Sequence, residues 1–237
     1  MIQNELNKRS PLRILEKSTH GGIRGGGIGV IAARKGVGKT ACLVHIATDQ
    51  LFQKKHVIHV SFSSSTEHIV SWYEHIFNEI SKLYELESSM NIHDEIIKNR
   101  IIMNFKQEGI SLLQITKSIR LMIQEGNFSA DIIIIDGYDF TKSTVEEIKK
   151  VKQFASTQGL SIWFSVTLKD EQFIFDEKGI PTILEKYINE IDIQINLIPK
   201  NDFIHLELIK DYDSYASCDM NLILDSQTLL IITESKT

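Results

Sequence analysis

Residues 27–47, GIGVIAARKGVGKTACLVHIA, constrain the fold of this chain more than any other segment. The apolar run at residues 28–33 predicts a buried β-strand, and the apolar residues after Thr40 predict a helix. A turn that contains Gly36 and Gly38 joins these two elements. Because glycine adopts backbone conformations that other residues avoid, such a turn can direct several backbone N–H groups at one point.

The side chains of this segment add the chemistry of a phosphate-binding loop. The sequence matches the motif G-x-x-x-x-G-K-[ST] except at the first position, where Ala33 replaces glycine and still permits close backbone approach. Lys39 can place a cation beside the β- and γ-phosphates, and the hydroxyl of Thr40 can bind Mg²⁺. We therefore predict an ATP or ADP site with Mg²⁺, in which Lys39 is also catalytic. The predicted nucleotide-binding residues are Ala33, Arg34, Lys35, Gly36, Val37, Gly38, Lys39, Thr40 and Ala41.

A second apolar run ends in an acidic residue. Residues 132–135 are four isoleucines, and Asp136 follows them. A continuous apolar run is typical of a central parallel strand that is covered on both faces. Taken alone, Asp136 would be an ordinary loop aspartate after a strand. Together with Lys39 it is predicted to be catalytic and to hold Mg²⁺ through a water molecule.

Strands and helices alternate along the rest of the chain. Strands are predicted at residues 56–62, 100–105, 132–136 and 161–166. Helices are predicted after the capping pairs Ser64–Glu67, Ser111–Gln114 and Ser143–Glu146. This order predicts an α/β fold with a mostly parallel central sheet flanked by helices. Residues 1–26 form an N-terminal segment, and the alternating pattern of residues 191–232 predicts antiparallel strands at the C-terminal edge of the sheet.

The helix after Ser64 carries apolar residues at helical spacing, which indicates packing against the core. These residues are Ile69, Trp72, Tyr73, Ile76, Ile80 and Leu83. His68 and His75 lie on the same helix, seven residues apart and without a third ligand. Ordinary surface or core histidines are therefore favoured there over a metal site.

The composition of the chain indicates its size class and which kinds of binding partner are disfavoured. With 237 residues, 42% of them hydrophobic, the chain can form a single domain over residues 1–237 with a sizeable core. The net charge of −5 disfavours nucleic acid, and the lysines at residues 149–152 indicate a solvated helix face. Since no apolar stretch approaches about 20 residues, no membrane partner is predicted. Two distant cysteines, Cys42 and Cys218, fit the reducing cytoplasm, and Cys42 is predicted to be a small buried side chain.

The order of these parts resembles the RecA-like ATPase core, in particular its DnaB-type helicase and KaiC-type branch. The resemblance rests on AARKGVGKTACLVHIA, HVSFSSSTEHIV, IIIIDGYDF and LELIKDYD, and it spans residues 21–224. It implies a RecA-like P-loop NTPase fold and a homo-oligomer, commonly a ring with nucleotide bound between subunits.

The sequence departs from this family at the residues that complete hydrolysis. The family usually has a glutamate that orients the attacking water after the second strand, and here Ser63 or Ser64 occupies that position. Serine cannot act as a carboxylate base. Glu67 lies close by, but its spacing from Ser64 is that of a helix cap, and Asp139 is a further alternative.

At two other positions of the family pattern, the sequence allows two assignments each. The helicase branch carries a Lys-x-Arg pair that reaches the neighbouring subunit's nucleotide, and here Lys210 matches the lysine while Tyr212 replaces the arginine. Lys210 is either a cation that acts in trans or a surface lysine at a strand end. The polar sensor residue is either Ser165 or Thr167.

These features predict an ATP-binding RecA-like P-loop protein that is a slow or partner-dependent ATPase. The main alternative is a nucleotide-sensing regulatory module that does not hydrolyse ATP. A DNA helicase or recombinase motor is a weaker alternative, because the chain is acidic. The sequence does not decide whether ATP is hydrolysed. A protein partner is also expected.

Overall fold

The computed structural model describes residues 10–62, 65–86, 89–168, 175–201 and 203–234. The helices are α1 (Leu12–Ser18), α2 (Lys39–Phe52), α3 (Thr66–Leu83), α4 (Ser89–Lys98), α5 (Leu112–Gln124), α6 (Val145–Gln158) and α7 (Thr182–Glu185). The strands are β1 (Ile28–Arg34), β2 (Val57–Ser61), β3 (Arg100–Asn104), β4 (Ile132–Asp136), β5 (Ser161–Leu168), β6 (Ile193–Lys200), β7 (Phe203–Asp211), β8 (Ser214–Leu224) and β9 (Ile231–Thr233). None of the helices in these ranges is long and apolar enough to cross a membrane.

The strands form one sheet in the order β3-β2-β4-β5-β1-β6-β7-β8-β9. In this spatial order, the six strands β3, β2, β4, β5, β1 and β6 are each parallel to their neighbours. The pairs β6–β7, β7–β8 and β8–β9 are antiparallel. The predicted α/β fold with a mostly parallel sheet and an antiparallel C-terminal edge is therefore confirmed. The antiparallel part begins one strand later than expected, because β6 runs parallel to β1 and only then turns back into β7.

Helices cover both faces of the parallel strands, which explains the continuous apolar sequence of β4. Ile132 and Ile134 point into a core built with α1, α2, α3 and α4. Ile133 and Ile135 point into a second core built with α5, α6 and α7. Successive side chains of β4 point to opposite faces of the sheet, and both faces are buried. Every residue before Asp136 is therefore apolar.

The helix starts agree with the sequence in one case and shift by one residue in two others. Ser111 and Gln114 form the predicted capping box of α5. The N-cap of α3 is Ser65, and Ser64 lies outside the described residues. The cap predicted at Ser143 and Glu146 is wrong.

Thr144 and Glu147 form the capping box of α6 instead. Ser143 is buried, its hydroxyl lies 2.9 Å from the hydroxyl of Tyr138, and its carbonyl accepts a hydrogen bond from Tyr187. Because these core contacts engage Ser143, the next hydroxyl along the chain takes the cap.

Other side chains differ from the sequence expectations in informative ways. Leu83 is 57% exposed at the last turn of α3, although its spacing predicted a core position. Lys152 is not a solvated lysine, because its ammonium donates to the Glu190 carbonyl and to Asp192 at 3.0 and 2.8 Å. Cys42 is buried as predicted, and burial raises the pKa of its thiol to about 12.

Candidate functional site

The glycine turn lies between the carboxyl end of β1 and the first residue of α2. Gly36 and Gly38 have φ angles of +83° and +100°, and Gly38 is the N-cap of α2. A Cβ atom at Gly38 would lie 2.3 Å from Cδ2 of Leu224, whereas one at Gly36 would have nothing within 4 Å. Position 38 therefore requires glycine both because its φ angle is positive and because a Cβ atom would clash with Leu224. Position 36 requires glycine only because its φ angle is positive.

We expect Gly38→Ala to lower the free energy of unfolding by about 2–5 kcal/mol, since left-handed strain and overpacking against buried Leu224 add together. Gly36→Ala is the matched control, and it carries the strain alone, about 1–2 kcal/mol. Urea unfolding of the two variants measures the difference. Equal losses in both would contradict the packing part of this interpretation.

The side chain of Lys39 lies along the loop that precedes it. Its ammonium donates to the carbonyls of Ala33 and Arg34 at 3.1 and 2.7 Å. The residue is only 8% exposed. Burial lowers the pKa of Lys39, and the nearby carboxylate of Asp136 opposes that shift. A partly desolvated ammonium is thus held at the N-terminus of a 14-residue helix.

The carboxylate of Asp136 joins three elements at the carboxyl edge of the sheet. Its Oδ2 accepts a 2.7 Å hydrogen bond from Oγ1 of Thr40, which belongs to α2. Its Oδ1 accepts a 2.6 Å bond from Oγ of Ser165, which belongs to β5. The backbone N–H of Gly137 donates to the same Ser165 oxygen at 2.7 Å. Of the two residues predicted as a polar sensor, Ser165 makes the contact with Asp136, and Thr167 lines the same pocket.

These groups line a pocket of about 360 Å³. The loop side of the pocket consists of Lys35, Gly36, Gly38, Lys39 and Thr40. The sheet side consists of Ser61, Asp136, Gly137, Ser165 and Thr167. The remaining lining residues are Phe62, His68, Ile69, Trp72 and Leu229. The hydroxyl and carboxylate oxygens at its base are of the kind that Mg²⁺ binds, beside a cation and a helix N-terminus suited to phosphate.

Several wall residues are missed by sequence reasoning. The sequence favours an ordinary histidine at His68 and core packing at Trp72, but Trp72 is half-buried and both line the pocket. The available signal is topological, since α3 follows β2 and β2 lies beside the strand that ends in Asp136. Of the predicted binding residues, four do not line this cavity: Ala33, Arg34, Val37 and Ala41.

Among the residues that the structure describes, the sequence alternatives for a water-orienting acid are Glu67 and Asp139. Ser63 and Ser64 lie outside them. Glu67 is exposed on α3, and Asp139 accepts hydrogen bonds from the backbone and hydroxyl of Thr141 at the start of a 3-10 helix, Phe140–Lys142. Neither acid lines the pocket, so among its described lining residues Asp136 is the one carboxylate.

The alternative of a surface lysine at position 210 is wrong. Lys210 is 6% exposed, and its ammonium donates to the backbone carbonyls of Ile188 and Ile191. Its cation is therefore bound within its own chain, which also weakens the alternative that it reaches a neighbouring subunit. The hydroxyl of Tyr212 donates to the Gly22 carbonyl and accepts from the Arg24 N–H.

The sheet order and the helices on both faces define an α/β domain with a RecA-like fold. Among solved structures, the chain is similar to one whose title describes it as an ATPase domain, with a TM-score of 0.69. The match covers 94% of this chain and 89% of that chain at 13% sequence identity, so it shows the fold. No protein-family model and no curated protein matches the sequence.

Proposed function

We propose that this protein binds ATP with Mg²⁺ at residues 33–41 and hydrolyses it slowly or only with a partner. The observation that carries this proposal is the convergence of Lys39, Thr40 and Asp136 in one pocket at the carboxyl edge of the sheet. The similarity to a structure titled as an ATPase domain supports it. Within the RecA-like group, the proposed relationship is to the DnaB-type and KaiC-type branch.

Each residue has a proposed role in binding. The loop amides and the N-terminus of α2 surround the phosphates, and Lys39 exchanges its carbonyl partners for β- and γ-phosphate oxygens. Thr40 would hold Mg²⁺ directly and Asp136 through water, and the bound ion would neutralise phosphate charge. The short bond between Thr40 and Asp136 already brings these two oxygens together.

We expect slow turnover because the pocket has few groups that could orient an attacking water molecule. Its carboxylate, Asp136, is engaged by two hydroxyls, and no second described carboxylate faces the cavity. Loss of an arginine finger, where one is used, costs about 10³–10⁵ in rate. We propose that a homo-oligomer, such as a ring, or a protein partner supplies the missing charge.

The two cysteines bear on the proposed cellular location, and the net charge bears on the alternative of a DNA motor. Both cysteines are unpaired thiols, which supports a cytoplasmic location. The net charge of −5 keeps a DNA helicase or recombinase motor the weaker proposal.

A nucleotide-sensing module is the second candidate, and one feature favours it. Leu224 of β8 packs against Gly38, and Leu229 in the following turn lines the pocket. His75 of α3 lies 3.1 Å from the carbonyl of Thr228 in the same turn. A change in loop conformation on nucleotide binding would therefore reach the β8–β9 hairpin and could alter a partner surface.

Phosphate release from Mg-ATP distinguishes the two candidates. We expect release by the wild type to be lost in Asp136→Asn, because the neutral amide no longer supports Mg²⁺. Asp213→Asn, an exposed acid in the turn between β7 and β8, is the matched control and should release phosphate like the wild type. Saturable nucleotide binding without release would favour the sensing module over a slow ATPase that needs no partner. A wild type that neither binds nor hydrolyses nucleotide would contradict both.

A further inference from the structure

One wall of the pocket has side chains that the proposed roles do not use. It is formed by the first turns of α3, where His68 is exposed, Ile69 is buried and Trp72 is half-buried. His68 and Trp72 are one helical turn apart, so both side chains project from the same face of the helix. A polar ring and an indole therefore face the cavity that holds Lys39 and Asp136.

The sheet order places this wall at the end of the phosphate chain. Starting from β1, which leads into the P-loop, the next strands are β5, β4 and β2. Ser61, at the end of β2, pairs in register with Asp136 at the end of β4, and α3 starts five residues after Ser61. A phosphate chain that begins in the loop and passes Lys39 toward Asp136 would therefore end nearest β2 and α3.

The contact between the two rings sets the hydrogen-bonding role of the histidine. Nε1 of Trp72 donates to Nε2 of His68 at 3.3 Å, and the rings meet edge to face with centroids 6.3 Å apart. An indole N–H can only donate, so Nε2 of His68 is the acceptor and Nδ1 carries the proton. His68 therefore has one N–H donor free of this pair, in a pocket suited to phosphate oxygens, which only accept.

We propose that Nδ1–H of His68 donates a hydrogen bond to the terminal phosphate of ATP, so that the pocket prefers the triphosphate over the diphosphate. Trp72 is the positioning residue, since its indole N–H holds the imidazole in the donating tautomer. This inference rests on the proposed function, because it needs nucleotide bound at Lys39 and Thr40. It makes α3 the element that distinguishes ATP from ADP.

Calorimetric titration with Mg²⁺ and either ADP or a non-hydrolysable ATP analogue tests the proposal. We expect His68→Ala to weaken the analogue about tenfold while ADP changes less than about twofold. His68→Asn should recover much of the preference, because its amide N–H can replace Nδ1–H. His56→Ala, at the opposite end of β2, is the matched control and should keep the wild-type ratio.

The outcomes separate this inference from the proposed function. A wild type that binds neither ligand would defeat the proposed function. If the wild type binds both and His68→Ala keeps its preference for the analogue, the role of His68 is overturned. Equal losses for both ligands would also overturn it, since they would place the wall against the base or ribose.

Intrinsic fluorescence gives a second readout that does not depend on turnover. The chain has two tryptophans, Trp72 at the pocket and Trp163, which is 4% exposed in β5. We expect the ATP analogue to change the emission more than ADP does, and Trp72→Phe to remove that difference. A difference that persists in Trp72→Phe would contradict the proposed contact.

Discussion

Lys39→Ala is expected to lower the affinity for Mg-ATP by at least about thirtyfold, and by as much as about four-thousandfold. Removing one member of a buried, hydrogen-bonded charge pair costs about 2–5 kcal/mol, and each 1.4 kcal/mol is tenfold in affinity. Lys39 meets this description, because the residue is 8% exposed and its ammonium lies on the loop that we expect to surround the phosphates. Calorimetric titration of the variant measures the loss.

The same substitution should leave the ligand-free fold intact. The ammonium bonds only backbone carbonyls there, and one of them belongs to exposed Arg34, where water can replace it. Lys150→Ala, on the exposed face of α6, is the matched control for both measurements. An affinity within about threefold of wild type, or a melting temperature that collapses without nucleotide, would show that Lys39 serves the fold and not the ligand.

Acidification is expected to destabilise the protein through two buried histidines. Nδ1 of His45 accepts a 2.9 Å bond from the N–H of Ile231, and the ring of His59 lies 3.0 Å from the hydroxyl of Tyr73. Burial lowers the pKa of each imidazole from 6.5 to about 4. Between these values the unfolded chain binds protons that the folded chain does not, so the free energy of unfolding falls as the pH falls. From pH 6.5 to 5 the loss is about 2 kcal/mol per histidine.

Urea unfolding at pH 7.5, 6.5 and 5.0 measures this dependence. His45→Asn removes one titrating group and keeps an acceptor for the N–H of Ile231. We expect its stability to fall by about 2 kcal/mol less than that of the wild type between pH 6.5 and 5. Identical pH dependence in the two proteins would show that His45 is not held neutral by burial. Comparing the variants removes the contribution of carboxylates, which titrate in both.

Much of the site was predictable because its determinants are local. A glycine turn between an apolar strand and a helix specifies the loop, and four isoleucines before Asp136 specify a central strand. Parallel strands end at the same edge of a sheet, so Lys39 and Asp136 had to approach each other. Their meeting through Thr40 follows from this topology.

The remaining features depend on distant packing. Alternating side chains in β6 fit a parallel or an antiparallel neighbour equally well, so the orientation of this strand was not encoded locally. Lys210 is buried because carbonyls at Ile188 and Ile191 receive its ammonium, and these contacts join segments about 20 residues apart. The cap of α6 shifted because Tyr187, far along the chain, bonds the Ser143 carbonyl.

The most direct test of the central claim is a crystal structure of the protein grown with Mg²⁺ and a saturating non-hydrolysable ATP analogue. We expect the triphosphate to lie against the backbone of residues 35–40, with Nζ of Lys39 within hydrogen-bonding distance of β- and γ-phosphate oxygens. Thr40 and Asp136 should flank the metal ion. An empty glycine turn, or an analogue bound elsewhere on the molecule, would contradict the claim that this loop is a nucleotide site.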